Sequence, residues 1–314
     1  MAEIKSLEID EPVCIVASGD KCGEGILWEA SSKSIYWTDI NRFLVHRYKL
    51  PDGTVKTWYF SEPVTCVLET DRRNTLALVF GSGVALWEPE SDKRHEALFV
   101  LPGWPTVRCN DAAVDPAGVL WLGTMRNNVK ENGEPCEVGG LDGHLYKVEG
   151  HIGWSEQRGG IGIGIGNTLA WSPDNSRFYF GDSLQNEIFS YDYLESNSSI
   201  RSERSFFSGF ERGSPDGSAM DIDGYLWNCR YGGNCIVRVS PSGRVDRVIE
   251  MPIANPTNCT FGGEEMNILF VTSASTESGK WERFGGCLFS IQTNVTGQPS
   301  NRFSVSPNMN SDRA

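Results

Sequence analysis

The stretch Arg108-Cys-Asn-Asp-Ala-Ala-Val-Asp-Pro-Ala-Gly-Val-Leu-Trp-Leu-Gly-Thr-Met125 reads as one hairpin. It opens on polar groups, Arg108, Asn110 and Asp111, and passes through an apolar segment. It turns at Asp115-Pro-Ala-Gly118 and returns as Val119-Leu-Trp-Leu122. Proline presets φ at the turn and glycine admits φ > 0, while the flanking apolar runs pair as strands. The result is a β-hairpin with a polar mouth.

The same pattern recurs along the chain. Its returning strands are anchored at Ile35, Leu76, Leu120, Phe178, Leu226 and Leu269, spaced 41, 44, 58, 48 and 43 residues apart. Turn residues precede each anchor, as in Ser172-Pro-Asp-Asn-Ser176 and Asp221-Ile-Asp-Gly224. Units of this length, made of strands and turns, predict an all-β, six-bladed β-propeller, because a lone four-stranded sheet cannot cover both of its own faces. A β-sandwich would leave the repetition unexplained. Val13-Cys-Ile-Val16 lacks a unit of its own and is expected to complete the last blade. The chain is read as one domain over 1–314, with a frayed polar tail from about 299 and a long surface loop over 126–166.

Ten or eleven residues before each anchor stand Glu24, Thr65, Asn110, Asn167, Asp216 and Asn258. In a propeller these positions open the innermost strands, so Glu24, Asn110, Asn167, Asp216 and Asn258, with Arg108 nearby, should meet at one end of the axis. Carboxylates and amide oxygens are hard donors suited to Ca²⁺, Mg²⁺ or Mn²⁺. Strand-end caps bathed in channel water are the other reading. The coincidence of phase, and the cost of gathering carboxylates without a counter-charge, favour a central metal site.

Composition removes other classes. A net charge of −13 leaves no basic stripe for nucleic acid. No run of 18 apolar residues exists to span a membrane. The first residues lack a basic-then-apolar leader pattern, and the nine cysteines lack CxxC spacing, so a cytoplasmic location with mostly buried thiols is expected. Histidines 46, 95, 144 and 151 are out of phase with the ring, which disfavours a histidine triad or an HExxH zinc site. Gly159-Gly-Ile-Gly-Ile-Gly-Ile-Gly166 lacks both the GxGxxG spacing and the Lys-Ser/Thr of a phosphate loop.

Taken together, Gly23-Glu-Gly25, Asn110-Asp-x-x-Val-Asp-Pro-x-Gly with Gly-Thr-Met125, Gly166-Asn-x-x-x-Trp-Ser-Pro-Asp174 with Asp182-Ser183, Pro215-Asp-Gly217 and Phe261-Gly-Gly263 resemble the senescence-marker/gluconolactonase family of regucalcin-like sugar lactonases. The resemblance spans nearly the whole chain. It implies Glu24, Asn167 and Asp216 as ligands of one divalent cation (Ca²⁺, Mg²⁺, Mn²⁺, Zn²⁺ or Fe(II)), with Asp216 also the catalytic acid/base. It implies Arg108 and Asn110 as contacts to a small sugar lactone such as a glucono-, galactono-, xylono- or arabinono-lactone. Some members carry an acidic substrate contact three positions after Gly-Thr-Met, where this chain has Asn128, so sugar preference stays open.

The expected activity is metal-assisted hydrolysis of the lactone to an aldonic acid by a monomer or weak homo-oligomer. The rivals are an organophosphate or other ester hydrolase on the same cation, and a calcium-binding propeller without turnover.

Overall fold

The structure is a computed structural model that describes residues 7–150, 153–158, 162–275 and 282–305. Its strands form six four-stranded antiparallel sheets arranged around an axis. The first strand, β1 (Val13–Val16), stands apart from the opening sheet. Blade one is β2 (Gly23–Glu29), β3 (Ser34–Asp39), β4 (Leu44–Lys49) and β5 (Thr54–Tyr59). Blade two is β6 (Val64–Glu69), β7 (Leu76–Phe80), β8 (Gly83–Glu88) and β9 (Lys93–Val100). Blade three is β10 (Val107–Val114), β11 (Leu120–Arg126), β12 (Leu145–Val148) and β13 (Trp154–Arg158). Blade four is β14 (Gly166–Trp171), β15 (Arg177–Asp182), β16 (Glu187–Leu194) and β17 (Ser199–Ser208). Blade five is β18 (Ser214–Met220), β19 (Leu226–Tyr231), β20 (Cys235–Val239) and β21 (Val245–Glu250). Blade six is β22 (Asn255–Gly262), β23 (Ile268–Ala274) and β24 (Leu288–Gln292), completed by β1, which pairs antiparallel with β24. The N-terminal strand therefore closes the ring as expected.

The turn chemistry explains why the quoted hairpin repeats. Asp115 Oδ1 accepts the N–H groups of Ala117 (3.0 Å) and Val119 (2.8 Å), and its Oδ2 accepts the Trp121 indole N–H at 2.8 Å. Asp221 does the same for Asp223, Tyr225 and Trp227, at 3.1, 2.9 and 3.0 Å. One carboxylate thus folds the turn and ties it to a tryptophan six residues on. Both tryptophans are fully buried between blades, where apolar clusters fill each seam. The two inner strands of each blade are largely enclosed; all six residues of β3 and of β14 are buried. Such strands, covered on both faces, read as continuous apolar runs rather than alternating ones.

Two expectations are corrected. The 126–166 segment is not one loop, because it supplies the two outer strands β12 and β13. Its remaining part folds back over blade one: Val129 is buried with Leu27, Ile40 and Phe43, and Asn41 Nδ2 donates to the Gly133 carbonyl at 2.9 Å. The tail is likewise not frayed as far as Val305. Gln298 N–H donates to Met220 O (2.8 Å), Asn301 Nδ2 to Val114 O (2.9 Å), Phe303 N–H to Glu69 O (2.9 Å) and Ser304 N–H to Gly118 O (2.9 Å). Phe303 and Val305 are buried in the seam of blades two and three. This strap crosses the C-terminal ends of the inner strands; residues 306–314 lie outside the described part.

All nine cysteines are free thiols, most of them buried, as expected. His151 and the start of the glycine run at 159–161 lie outside the described residues. Gly166 opens β14, so a strand and not a helix follows that run. No described helix is long and apolar enough to cross a membrane.

Candidate active site

Each inner strand carries a register break at the same height. The breaks fall between Glu24 and Leu27, Val64 and Cys66, Cys109 and Ala112, Asn167 and Ala170, Pro215 and Ser218, and Pro256 and Cys259. A bulge leaves a residue unpaired and re-aims its side chain. Six bulges in phase therefore ring the axis with re-aimed polar groups. Two glycines make room for them. Gly25 has φ +51°, and a Cβ there would lie 2.1 Å from the Thr65 carbonyl oxygen. A Cβ on Gly217 would lie 2.1 Å from Asn258 Cγ.

Hydrogen bonds join most of the in-phase residues. Asn258 Nδ2 donates to Glu24 Oε2 at 3.1 Å, as does the Gly25 N–H at 3.0 Å. Asn110 Nδ2 donates to Asn167 Oδ1 at 2.9 Å. Arg108, only 4% exposed, donates from Nη1 to Asn110 Oδ1 at 2.7 Å. Its Nε and Nη2 both reach Asn128 Oδ1, at 3.0 and 2.9 Å. Arg108, Asn110 and Asn128 thus form one cluster beside the ring. The Asp216 carbonyl accepts from Thr168 Oγ1 (2.6 Å) and Asn228 Nδ2 (3.1 Å), which locks its backbone. Thr65 shares the phase but turns its hydroxyl to the Val79 carbonyl of its own blade.

The structure adds a carboxylate that the sequence reading did not assign to the site. Asp111 accepts the Ala112 N–H at 3.0 Å, lies 3.7 Å from the Cys66 thiol, and lines the channel cavity of about 130 Å³ beneath the ring. Alternation would send Asn110 and Asp111 to opposite faces; the bulge between Cys109 and Ala112 brings both to the axis. Burial pushes Asp111 up to about 6. Burial, then the Asp111 charge, pushes Glu24 up to about 7. Asp216 is raised well above the carboxylate range by burial, then by Glu24 and Asp111. Burial lowers Arg108. Enclosed like charges destabilise one another's ionised forms, and a bound cation relieves this.

The donor set fits a cation only if amides take part. Among the described residues no three His, Cys, Asp or Glu side chains converge to hold an ion by themselves. The available donors are Glu24, Asp216 and Asn167 oxygens, a hard set without thiolate or imidazole. Two further groups stand at the site with no role assigned to them from the sequence, Ser183 appearing there only as part of the Asp182-Ser183 motif. Ser183 hydrogen-bonds Asn167, and Tyr231, half exposed at the mouth, has its phenol raised by burial and then by Cys22, Asp216 and Glu24. Neither has a periodic signal, since Ser183 follows the end of β15 and Tyr231 is the last residue of β19.

The family model described as the SMP-30/Gluconolactonase/LRE-like region matches residues 22–275, four-fifths of the chain and every inner strand of the ring. The chain belongs to this family. Among its SMP-30/gluconolactonase relatives, the 6-deoxy-6-sulfogluconolactonase of Pseudomonas putida is 29% identical, with 90% of this chain and 95% of the relative covered. The L-arabinolactonase of Azospirillum brasilense is 31% identical, covering 91% of this chain and 93% of the relative. A solved luciferin-regenerating enzyme superposes with a TM-score of 0.83 at 25% identity, over 95% of this chain and 100% of that one. Both curated relatives are named as lactonases and the solved structure for luciferin regeneration, so membership in this lactonase family leaves the substrate to the site.

Proposed function

We propose that the protein is a divalent-cation-dependent hydrolase that opens a sugar lactone to its aldonic acid, with Glu24, Asn167 and Asp216 holding the cation. One observation carries the reading: Glu24 and Asp216, joined by Asp111, are enclosed at one end of the channel without an ion-pair partner among the described residues, beside the Arg108–Asn110–Asn128 cluster. One divalent cation together with Arg108 balances those three carboxylates.

A divalent cation bound there supplies Lewis-acid polarisation of the ester carbonyl. The chain's own groups do the rest. The Asp216 carboxylate takes a proton from the attacking water as its oxygen bonds to the carbonyl carbon. The bond from that carbon to the ring oxygen breaks, and the proton passes from Asp216 to the departing oxygen, giving a hydroxy acid. Arg108 and Asn110 orient the substrate's oxygens by directed N–H donors. Asn128, a neutral acceptor, holds Nε and Nη2 of the guanidinium without cancelling its charge.

The test is acid release from a panel of aldonolactones, before and after chelation with single-metal add-back. Turnover of one or two lactones, lost on chelation and restored by one ion, supports the proposal. Cation binding without hydrolysis of any lactone overturns it in favour of a different ester or a binding role.

A further inference from the structure

Three asparagines share the phase of the ring, yet their amides are oriented differently. Asn258 Oδ1 accepts the Cys259 backbone N–H at 2.9 Å, so its nitrogen faces Glu24. Asn110 Nδ2 donates to the Gly166 carbonyl at 3.1 Å, and its oxygen is taken by Arg108. Backbone groups have fixed polarity, so both amides are pinned with their oxygens committed elsewhere. Neither presents a free carbonyl oxygen to the axis.

Asn167 is pinned in another way. Its Nδ2 donates to Ser183 Oγ at 2.8 Å. A hydroxyl can act as donor or acceptor, which alone would leave the amide free to flip. Here the Ser183 proton is spent on the Pro215 carbonyl at 2.7 Å. The oxygen that remains can only accept, and of the two ends of the amide only the nitrogen can donate to it. Asn167 Oδ1 is thereby held on the side where Asn110 Nδ2 meets it, with a lone pair still open. Pro215 immediately precedes Asp216, so the same hydroxyl ties the Asn167 amide of blade four to the backbone that carries Asp216 in blade five.

We propose that Ser183 is a positioning residue of the cation site: its committed hydroxyl, acting with the Asn110 donor on the other end of the amide, holds the orientation in which Asn167 offers oxygen, and among the described residues it alone ties the Asn167 side chain to the backbone that carries Asp216. The assignment rests on the reading of Asn167 as a cation ligand and adds a group that holds it as one. Ser183 does not itself contact the ion or the substrate. Groups placed behind metal ligands in this way typically alter affinity by about 10–100-fold when removed.

The experiment titrates Mn²⁺ into the full-length protein and reads the bound ion by electron paramagnetic resonance, with no substrate present. Ser183→Ala should weaken Mn²⁺ binding by about 10–100-fold while the cation-free melting temperature stays near wild type. Ser183→Thr, which keeps the hydroxyl, should bind close to wild type. In an Asn167→Asp background the side chain ends in two oxygens and has no orientation to select, so adding Ser183→Ala should cause little further loss. Wild-type Mn²⁺ affinity in Ser183→Ala overturns the assignment. So does an equal loss in both backgrounds, which would mark a purely structural hydroxyl. Absence of Mn²⁺ binding by the wild-type protein would instead overturn the cation reading of the ring, on which the assignment stands.

Discussion

The two ends of the central channel are built on opposite terms. At the N-terminal ends of the inner strands, bulges break the ladders and three carboxylates are enclosed together, each raised from its ordinary pKa. At the C-terminal ends, a strap spans from Met220 to Glu69 on backbone hydrogen bonds and seats Phe303 and Val305 in a blade seam. The first end accumulates unfavourable electrostatics that a ligand relieves; the second is closed by backbone hydrogen bonds and apolar packing within the chain. Functional ends are commonly strained in this way, with the scaffold compensating elsewhere. The contrast says which substitutions should affect activity and which should affect stability.

The largest break comes at the strained end. Asp216→Asn should lower lactone turnover by about 10²–10⁴-fold while raising the melting temperature of the cation-free protein, because the cost of enclosing that acid beside Glu24 and Asp111 is gone. Steady-state rates and a thermal melt check both halves. At the other end, Phe303→Ala should cost about 3–5 kcal/mol in urea unfolding with kcat less affected, since a fully buried ring is lost from the strap that crosses the opposite ends of the inner strands.

The pH dependence sharpens the contrast. Glu24 and Asp111 have folded-state values of about 7 and about 6, both above their ordinary 4.5 and 3.8. A raised carboxylate stabilises the fold below its unfolded value, and that stability is lost as pH rises through the folded value. The cation-free protein should therefore lose stability between about pH 4 and pH 7. The Glu24 contribution, discounted for its partial exposure, is on the order of 2 kcal/mol. Denaturant midpoints across this range, with and without saturating Ca²⁺, measure it; a flat profile in the chelated protein would contradict the electrostatic account.

The smallest effect separates two hairpins with the same spelling. Trp121→Phe leaves Asp115 Oδ2 buried without its indole partner and should cost about 1–3 kcal/mol. Trp227→Phe should cost less of this penalty, because Asp221 Oδ2 still accepts from Arg238 Nε and Nη2 at 3.1 and 2.8 Å. Equal losses in the two variants would show that indole packing, not carboxylate satisfaction, dominates.

The blades were legible because each hairpin states its turn locally: an aspartate, a proline or glycine, then an apolar strand, as at Asp115 and Asp221. Ring closure was legible because Val13–Val16 had no partner strands of its own. The phase of Glu24, Asn110, Asn167, Asp216 and Asn258 was legible too, since all stand at one distance from their anchors. Bulges were not, because a one-residue insertion leaves the apolar pattern on either side intact. That concealed Asp111, which simple alternation turns away from Asn110. The strap was hidden by its polar neighbours: Phe303 and Val305 flank Ser304 after Asn301 and Arg302, too short an alternation to announce a docked segment. Amide orientation, which separates Asn167 from Asn110 and Asn258, depends on partners in other blades and has no local signature.

The central claim is that Glu24, Asp216 and Asn167 form one divalent-cation site. Isothermal titration of Ca²⁺ or Mn²⁺ into chelated wild-type protein and Glu24→Gln tests it most directly. The account predicts one site per chain in the wild type, with affinity falling as pH drops below about 7 and protons compete for Glu24, and at least a tenfold loss in Glu24→Gln. No heat of binding in the wild type, or equal binding by Glu24→Gln, would contradict it.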